Sequence, residues 1–180
     1  MLTAIQEQTQ SAALESWFQD YHSLVLNAAY RVTGKREDAE DVLQTIFTRL
    51  LAHPRQLDSA ENIQGYFYRA AIHGALDLLR RRHGIQPVEL EEGELEAFPA
   101  SSGNPYHQFR EQELAEWLRQ SLLRVSPLAA EVFALARLEG MDNREIARLV
   151  DTTPNSVAVL LHRTKKRLSK ELEKHLGGRS

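Results

Sequence analysis

The residues best placed to do chemistry in this 180-residue chain are hydrogen-bond donors, acceptors and cations rather than nucleophiles. Asn155, Ser156, Val159, His162, Arg163, Lys165 and Lys166 share one face of a helical pattern over 154–168, with Ala158 among them. An Asn amide can pair with adenine through two hydrogen bonds, a Val methyl can touch a thymine methyl, and Arg and Lys neutralise phosphate. Arg144 and Arg148 add two cations just upstream. A second group sets Tyr66, Phe67 and Tyr68 beside Arg69, with Arg80, Arg81 and Arg82 further on. Aromatics interleaved with arginines suit unstacked bases and backbone phosphate. The plainer alternative makes Tyr66 and Phe67 core and lets the arginines complement a helix C-terminus. A third group, Glu37, Asp38, Glu40 and Asp41, is acidic. Three carboxylates can bind a divalent cation, but nothing elsewhere is spaced to complete such a site. Charge matched to a helix dipole is simpler, and a docking face for a basic helical partner is a further reading. His73 and Asp77 stand four apart and could share a metal; with no third ligand they read as a surface pair.

Composition excludes several classes. A hydrophobic share of 42% and a charged share of 26% are those of a soluble globular protein. With no cysteine there is no disulfide framework, thiolate metal site or thiol catalysis, and a reducing compartment is compatible. The opening MLTAIQEQTQ has neither a basic start nor an apolar run, so no secretory leader is expected. No stretch approaches the roughly 20 apolar residues of a membrane span, so a cytoplasmic protein without membrane insertion is expected. The net charge of −3 hides an asymmetry. Residues 1–109 hold 9 Lys and Arg against 15 Asp and Glu, whereas 110–180 hold 13 against 10. A basic C-terminal half suits a polyanion, and an acidic N-terminal half suits a basic protein partner or solubility. No nucleophile–base pair, Gly-rich phosphate loop or metal-ligand spacing is visible, so the expectation is not an enzyme, with neither cofactor nor metal.

The elements that must position these groups are all helical, since no alternation of period two is strong enough for a strand. Residues 11–33 read as a first helix with a stripe of Trp17, Tyr21, Leu24, Val25, Ala28 and Val32, ended by Gly34. Residues 36–52 form the cleanest helix, with Ala39, Val42, Leu43, Ile46, Phe47, Leu50 and Leu51 on its apolar side and Pro54 as its stop. Residues 62–82 form a third, capped by Asn62, with Ile63, Tyr66, Phe67, Ala70, Ala71, Gly74 and Leu78 along one side. Residues 84–108 change character, with repeated Gly and Pro, five glutamates between Glu89 and Glu96, and no Lys or Arg. A structureless run this long reads as an acidic flexible linker. Helix resumes over 109–124, with Leu114, Trp117, Leu118, Ser121 and Leu122 on one face. Ser126-Pro127 caps and starts the next helix, which Gly140 ends. Over 142–167, Asp142 with Glu145 makes a capping box, Asp151 suits a left-handed turn, and Thr153-Pro154 starts a second helix. Val157, Leu161, Thr164 and Leu168 give that helix its buried stripe, which is the layout of a helix-turn-helix. An ordinary helical hairpin with a solvated basic end has the same pattern. The expected architecture is all-α: two small helical domains, 1–83 and 109–180, joined by the linker 84–108.

Three segments in this order resemble an extracytoplasmic-function sigma factor, a two-domain sigma subunit of bacterial RNA polymerase. DAEDVLQTIFTRLL (38–51) is similar to the family's polymerase-binding helix, and GYFYRAAIHGALDLLRRR (65–82) to its −10 recognition and strand-opening helix. Residues 126–168 are similar to its −35 reading domain. The resemblance implies a non-enzymatic sigma factor that binds core RNA polymerase at its clamp helices and flap and directs promoter-specific initiation. It implies polymerase contact through Asp38, Asp41, Gln44, Thr45, Thr48 and Arg49. Promoter DNA would meet Tyr66, Tyr68, Arg69, His73, Arg80, Arg81 and Arg82 at the −10 element. At the −35 element it would meet Arg144, Arg148, Asn155, Ser156, Val159, His162, Arg163, Lys165 and Lys166. A separate anti-sigma factor is implied as regulator. The chain departs from the family where Asp151 replaces a turn Gly, where Ala158 and Leu160 occupy commonly basic positions, and where Ile72-His73 replaces Arg-Asn. Two other readings are a free-standing helix-turn-helix regulator and a sigma-like polymerase-binding module with degraded promoter reading. The first leaves residues 38–51 without a job and predicts a dimer on paired half-sites.

The linker gives a direct test. A glutamate-specific protease should nick the native protein between Glu89 and Glu96 and leave two helical fragments, as read by gel and circular dichroism. Rapid cleavage inside 36–52 would contradict the domain division.

Overall fold

The computed structural model describes residues 2–53, 57, 62–87 and 107–177. Most of the expected linker, and Pro54, lie outside the described residues. Among those described there are seven helices and no strand. They are α1 (Leu2–Thr33), α2 (Arg36–Ala52), α3 (Ile63–His83), α4 (His107–Arg124), α5 (Pro127–Arg137), α6 (Asn143–Leu149) and α7 (Pro154–Gly177).

The first three helices form one packed unit. α1 begins earlier than the expected 11, and buries Val25, Ala28, Ala29 and Val32. Gly34 ends it at φ +68°, and its N–H donates to the Tyr30 carbonyl at 2.8 Å. A side chain is disfavoured at that angle, and a Cβ there would lie 2.6 Å from Arg119 Cζ of α4. α2 spans the expected 36–52 and buries Ala39, Val42, Ile46, Phe47 and Leu50. Leu51, expected in that stripe, is 65% exposed, because the stripe had already turned past the interface one residue earlier.

α3 is the helix on which both halves of the molecule rest. The Asn62 side chain caps it by accepting from the Gly65 N–H at 2.9 Å, and Gly84 closes it at φ +61°. On one side Phe67 is fully buried, with Tyr21 stacked at 4.7 Å and Phe47 at 5.5 Å between ring centroids. Aromatic pairs at such separations add to the gain from burial. On the other side Ile72, Ala75, Leu76 and Leu79 are buried as a second stripe. Leu76 and Leu79 share an apolar crevice with Leu118 and Leu122 of α4 and with Leu138. The expected one-sided helix therefore buries two sides, because α4 and α5 pack on it as well as α1 and α2.

In the second unit α5 is apolar around most of its circumference and is the inner helix, with Ala129, Ala130, Val132, Ala134 and Leu135 buried. Pro127 opens it, since the first helical position needs no N–H. Ser126 occupies the cap position, but its side chain makes no capping hydrogen bond. Leu114, expected on the apolar face of α4, is 48% exposed, while Leu123 is buried in its stead. α4, α6 and α7 surround α5.

Phe67→Ala removes the ring at the centre of the first unit and leaves a cavity. It should cost about 3–5 kcal/mol of unfolding free energy, read by urea denaturation. A loss under about 1 kcal/mol would place Phe67 outside the core.

Candidate nucleic-acid and polymerase interfaces

The helix-turn-helix is built by local hydrogen bonds. Asp142 Oδ1 accepts from the N–H groups of Arg144 at 2.7 Å and Glu145 at 2.8 Å, and Glu145 Oε2 accepts from the Asp142 N–H at 2.9 Å. The Glu145 N–H bond leads in holding the Asp142 carboxyl below its ordinary pKa. Asp151 takes the left-handed conformation, φ +53°, at the turn. Thr153 Oγ1 then accepts from the Ser156 N–H at 3.1 Å and starts α7. Ile146, Ala147, Val150, Val157, Thr164 and Leu168 are buried between the helices, and the Thr164 hydroxyl is satisfied by donating to the Leu160 carbonyl at 2.8 Å.

With those residues inward, Arg144, Arg148, Asn155, Ser156, Ala158 and Lys165 are exposed, and Val159, Arg163 and Lys166 are half-buried. His162, expected beside them, is drawn further in: its Nε2 is buried with no hydrogen-bond partner among the described residues. Leu160 packs against the core, so this departure from a basic position is a packing choice. Ala158 is open.

The α2 face divides differently from the expectation. Asp41, Gln44, Thr45, Thr48 and Arg49 are exposed together. Asp38 is not on that face; its side chain is 3% exposed and binds Arg82 of α3 at 2.7 Å. The pair ties α2 to α3, since a buried carboxylate needs a cation. Arg82 is thereby engaged, although half-exposed.

The α3 group is brought together along one helix, but part of it is occupied. Tyr66 and Tyr68 are half-buried, and Arg81 is exposed. Burial pushes the Tyr66 hydroxyl above its ordinary pKa, opposed by the nearby Arg49 cation. Arg69 Nε donates to Glu131 Oε1 at 2.6 Å, and its Nη1 to the Leu149 carbonyl at 2.7 Å. His73 pairs with Asp77 at 3.1 Å, the surface pair expected. Arg80 is buried and donates to the carbonyls of Leu123 at 3.2 Å and Val125 at 3.3 Å. Burial lowers its pKa, opposed by Asp77. No group of three metal-ligating side chains occurs among the described residues.

Sequence reasoning missed Glu131, Glu139 and Arg31. Glu131 is a lone carboxylate in the apolar run PLAAEVFALA, and that isolation is the available signal, because a buried carboxylate demands a cation from elsewhere.

Two family models match the chain in order: Sigma-70 region 2 over residues 17–84, and Sigma-70, region 4 over residues 115–168. The ECF RNA polymerase sigma factor SigE of Mycolicibacterium smegmatis is 28% identical over 177 residues, covering 96% of this chain and 68% of that protein. The chain belongs to the extracytoplasmic-function sigma factors. The RNA polymerase sigma factor YlaC of Bacillus subtilis is 25% identical over 162 residues, covering 90% of this sigma factor and 93% of that one. The sigma factor RpoE from Bartonella quintana, solved in complex with the anti-sigma factor NepR, matches at a TM-score of 0.51 and 15% identity. That likeness covers 88% of this chain and 96% of that one, and it shows a shared fold. As a sigma factor the chain directs promoter-specific transcription initiation, and its family comprises DNA-binding regulators rather than enzymes. No helix among the described residues is long and apolar enough to cross a membrane.

Ala158 stands open among the cations of α7. Ala158→Lys in the full chain should raise affinity for duplex promoter DNA and steepen the dependence of log affinity on log salt by about one. A salt titration on labelled duplex reads both, and an unchanged affinity and slope would turn this face away from DNA.

Proposed function

We propose that this sigma factor divides its work among three helices. The exposed face of α2, with Asp41, Gln44, Thr45, Thr48 and Arg49, binds the clamp helices of core RNA polymerase. α3 receives the single strand of the −10 element through Tyr66, Tyr68, Arg69, His73, Arg80 and Arg81. α7 lies in the −35 major groove, where Asn155, Ser156 and Val159 meet base edges. Arg144, Arg148, Arg163, Lys165 and Lys166 meet phosphate there, and the C-terminal domain reaches the polymerase flap. A separate anti-sigma protein is the expected regulator, in keeping with the NepR complex of the Bartonella protein.

The observation that carries this reading is the split of α7: Val157, Thr164 and Leu168 are buried while Asn155, Ser156, Ala158 and Lys165 are open, on a helix entered through a capped turn. Such a helix presents its N-terminal turns to a groove without disturbing its own packing.

The exposed α2 face separates a sigma factor from a free-standing DNA-binding regulator. Asp41→Arg reverses a charge on a side chain that carries no packing, so helicity should hold. Affinity for core polymerase should fall at least about tenfold, the effect of about 1.4 kcal/mol at an interface. Fluorescence anisotropy with core enzyme measures it, and an unaltered affinity would remove this face from the interface.

A further inference from the structure

The outer surface of α7 changes character along its length. Its first two turns offer Asn155, Ser156, Ala158 and Val159, all exposed except Val159, which is half-buried. None of the four carries a charge. The first cation of the helix, Arg163, stands two turns beyond Asn155, about 12 Å along the axis, and is half-buried. Two side chains that would alter this surface are withdrawn from it. Leu160 packs against the core. His162 turns its Nε2 inward, where it is buried with no hydrogen-bond partner among the described residues. Arg144 and Arg148 belong to α6, and in a helix-turn-helix the first helix crosses the backbone rather than entering the groove.

Guanine shows two acceptors in the major groove and is read by Arg or Lys, whereas adenine shows an acceptor beside a donor and is matched by the amide of Asn. A serine pairs with either kind of base, so Ser156, already tied to Thr153 Oγ1 at 2.8 Å, does not discriminate. Thymine alone adds a methyl. Val159, next to the open Ala158, has only methyls to present. Methyls set against guanine or cytosine leave those polar edges unpaired and dry, which is unfavourable. We propose that the first two turns of α7 read a −35 core made of A·T pairs, with adenine at Asn155 and a thymine methyl at Val159, and that they discriminate against guanine. This rests on the reading of α7 as the −35 helix. Asn155 and Val159 are about 6 Å apart along the helix axis, a little under two base-pair steps of about 3.4 Å each. They therefore address neighbouring pairs of one short block. Charge and sequence reading are separated: Arg144, Arg148, Arg163, Lys165 and Lys166 hold phosphate without choosing a base.

The test uses the full chain and a duplex library with a randomised centre. Selection should recover a shared block of A·T pairs, and a G·C pair placed in that block should lower affinity about tenfold. Replacing a thymine by deoxyuridine removes only its methyl. At the thymine facing Val159 this should lower affinity about fourfold, the equivalent of one buried methyl. Val159→Ala should lose that penalty, and Asn155→Ala should relax the choice of adenine. A shared block that contains guanine and that either variant rewrites overturns the A·T reading and leaves α7 in the groove. An A·T block indifferent to deoxyuridine is chosen by DNA shape rather than by methyl contact, and overturns the proposal in the same way. Recovery of no shared block overturns the proposal outright. A shared block that neither variant alters takes α7 out of the groove, and the reading beneath the proposal falls with it.

Discussion

Glu131 is a carboxylate that its own domain cannot satisfy. It sits in the most apolar helix of the chain, and its direct cation, Arg69, comes from α3. A buried charge without a partner is far more costly than a half-exposed arginine returning to water. That imbalance fixes where α5 can rest, and so where the helix-turn-helix stands relative to the first three helices. Asp38 with Arg82 and Glu139 with Arg31 repeat the device. Each is a buried acid held by an arginine of another helix, and together they set α3 against α2, against α5, and α1 against the end of α5. Ion pairs of this kind are weak as net stabilisers but demanding of geometry, so they specify an arrangement that apolar packing alone would leave loose.

The same arrangement explains why one helix can serve two partners. α3 carries Phe67 toward α1 and α2, and Leu76 and Leu79 into a crevice lined by α4, the end of α1 and Leu138. Two of its arginines, Arg69 and Arg80, meet the C-terminal domain, while Arg82 turns to Asp38 of α2. α2 and α7 keep their polar faces open in the same state, so the surfaces proposed for polymerase and for duplex DNA are available while α3 is covered.

Much of the local structure was legible in the sequence. The bounds of α2, the Asn62 cap, the Asp142–Glu145 box, the left-handed Asp151 and the start of α7 at Pro154 all depend on residues within a few positions of one another. Local hydrogen bonds and a single apolar stripe determine them, and both are visible in a short window. Contacts between the domains were not legible. Arg80 reads as a phosphate contact because nothing near it in the chain reveals the Leu123 and Val125 carbonyls it meets across the molecule. Asp38 reads as one of a row of solvated acids because its partner lies on another helix. The second stripe of α3 was hidden by the first: with Phe67 and Ala71 already defining one face, Leu76 and Leu79 look like tolerated apolar residues until α4 is placed against them. Leu160 looks like a lost basic contact for the same reason, since only its packing shows that it belongs to the core.

Arg69 and Glu131 join the two domains directly. A double-mutant cycle on the unfolding free energy of the full chain, using Arg69→Ala, Glu131→Ala and the pair, isolates that interaction. The coupling expected is on the order of 0.5–3 kcal/mol, the range for residues in direct contact. Strict additivity of the two substitutions would contradict it, for it would mean that the two side chains do not meet in solution.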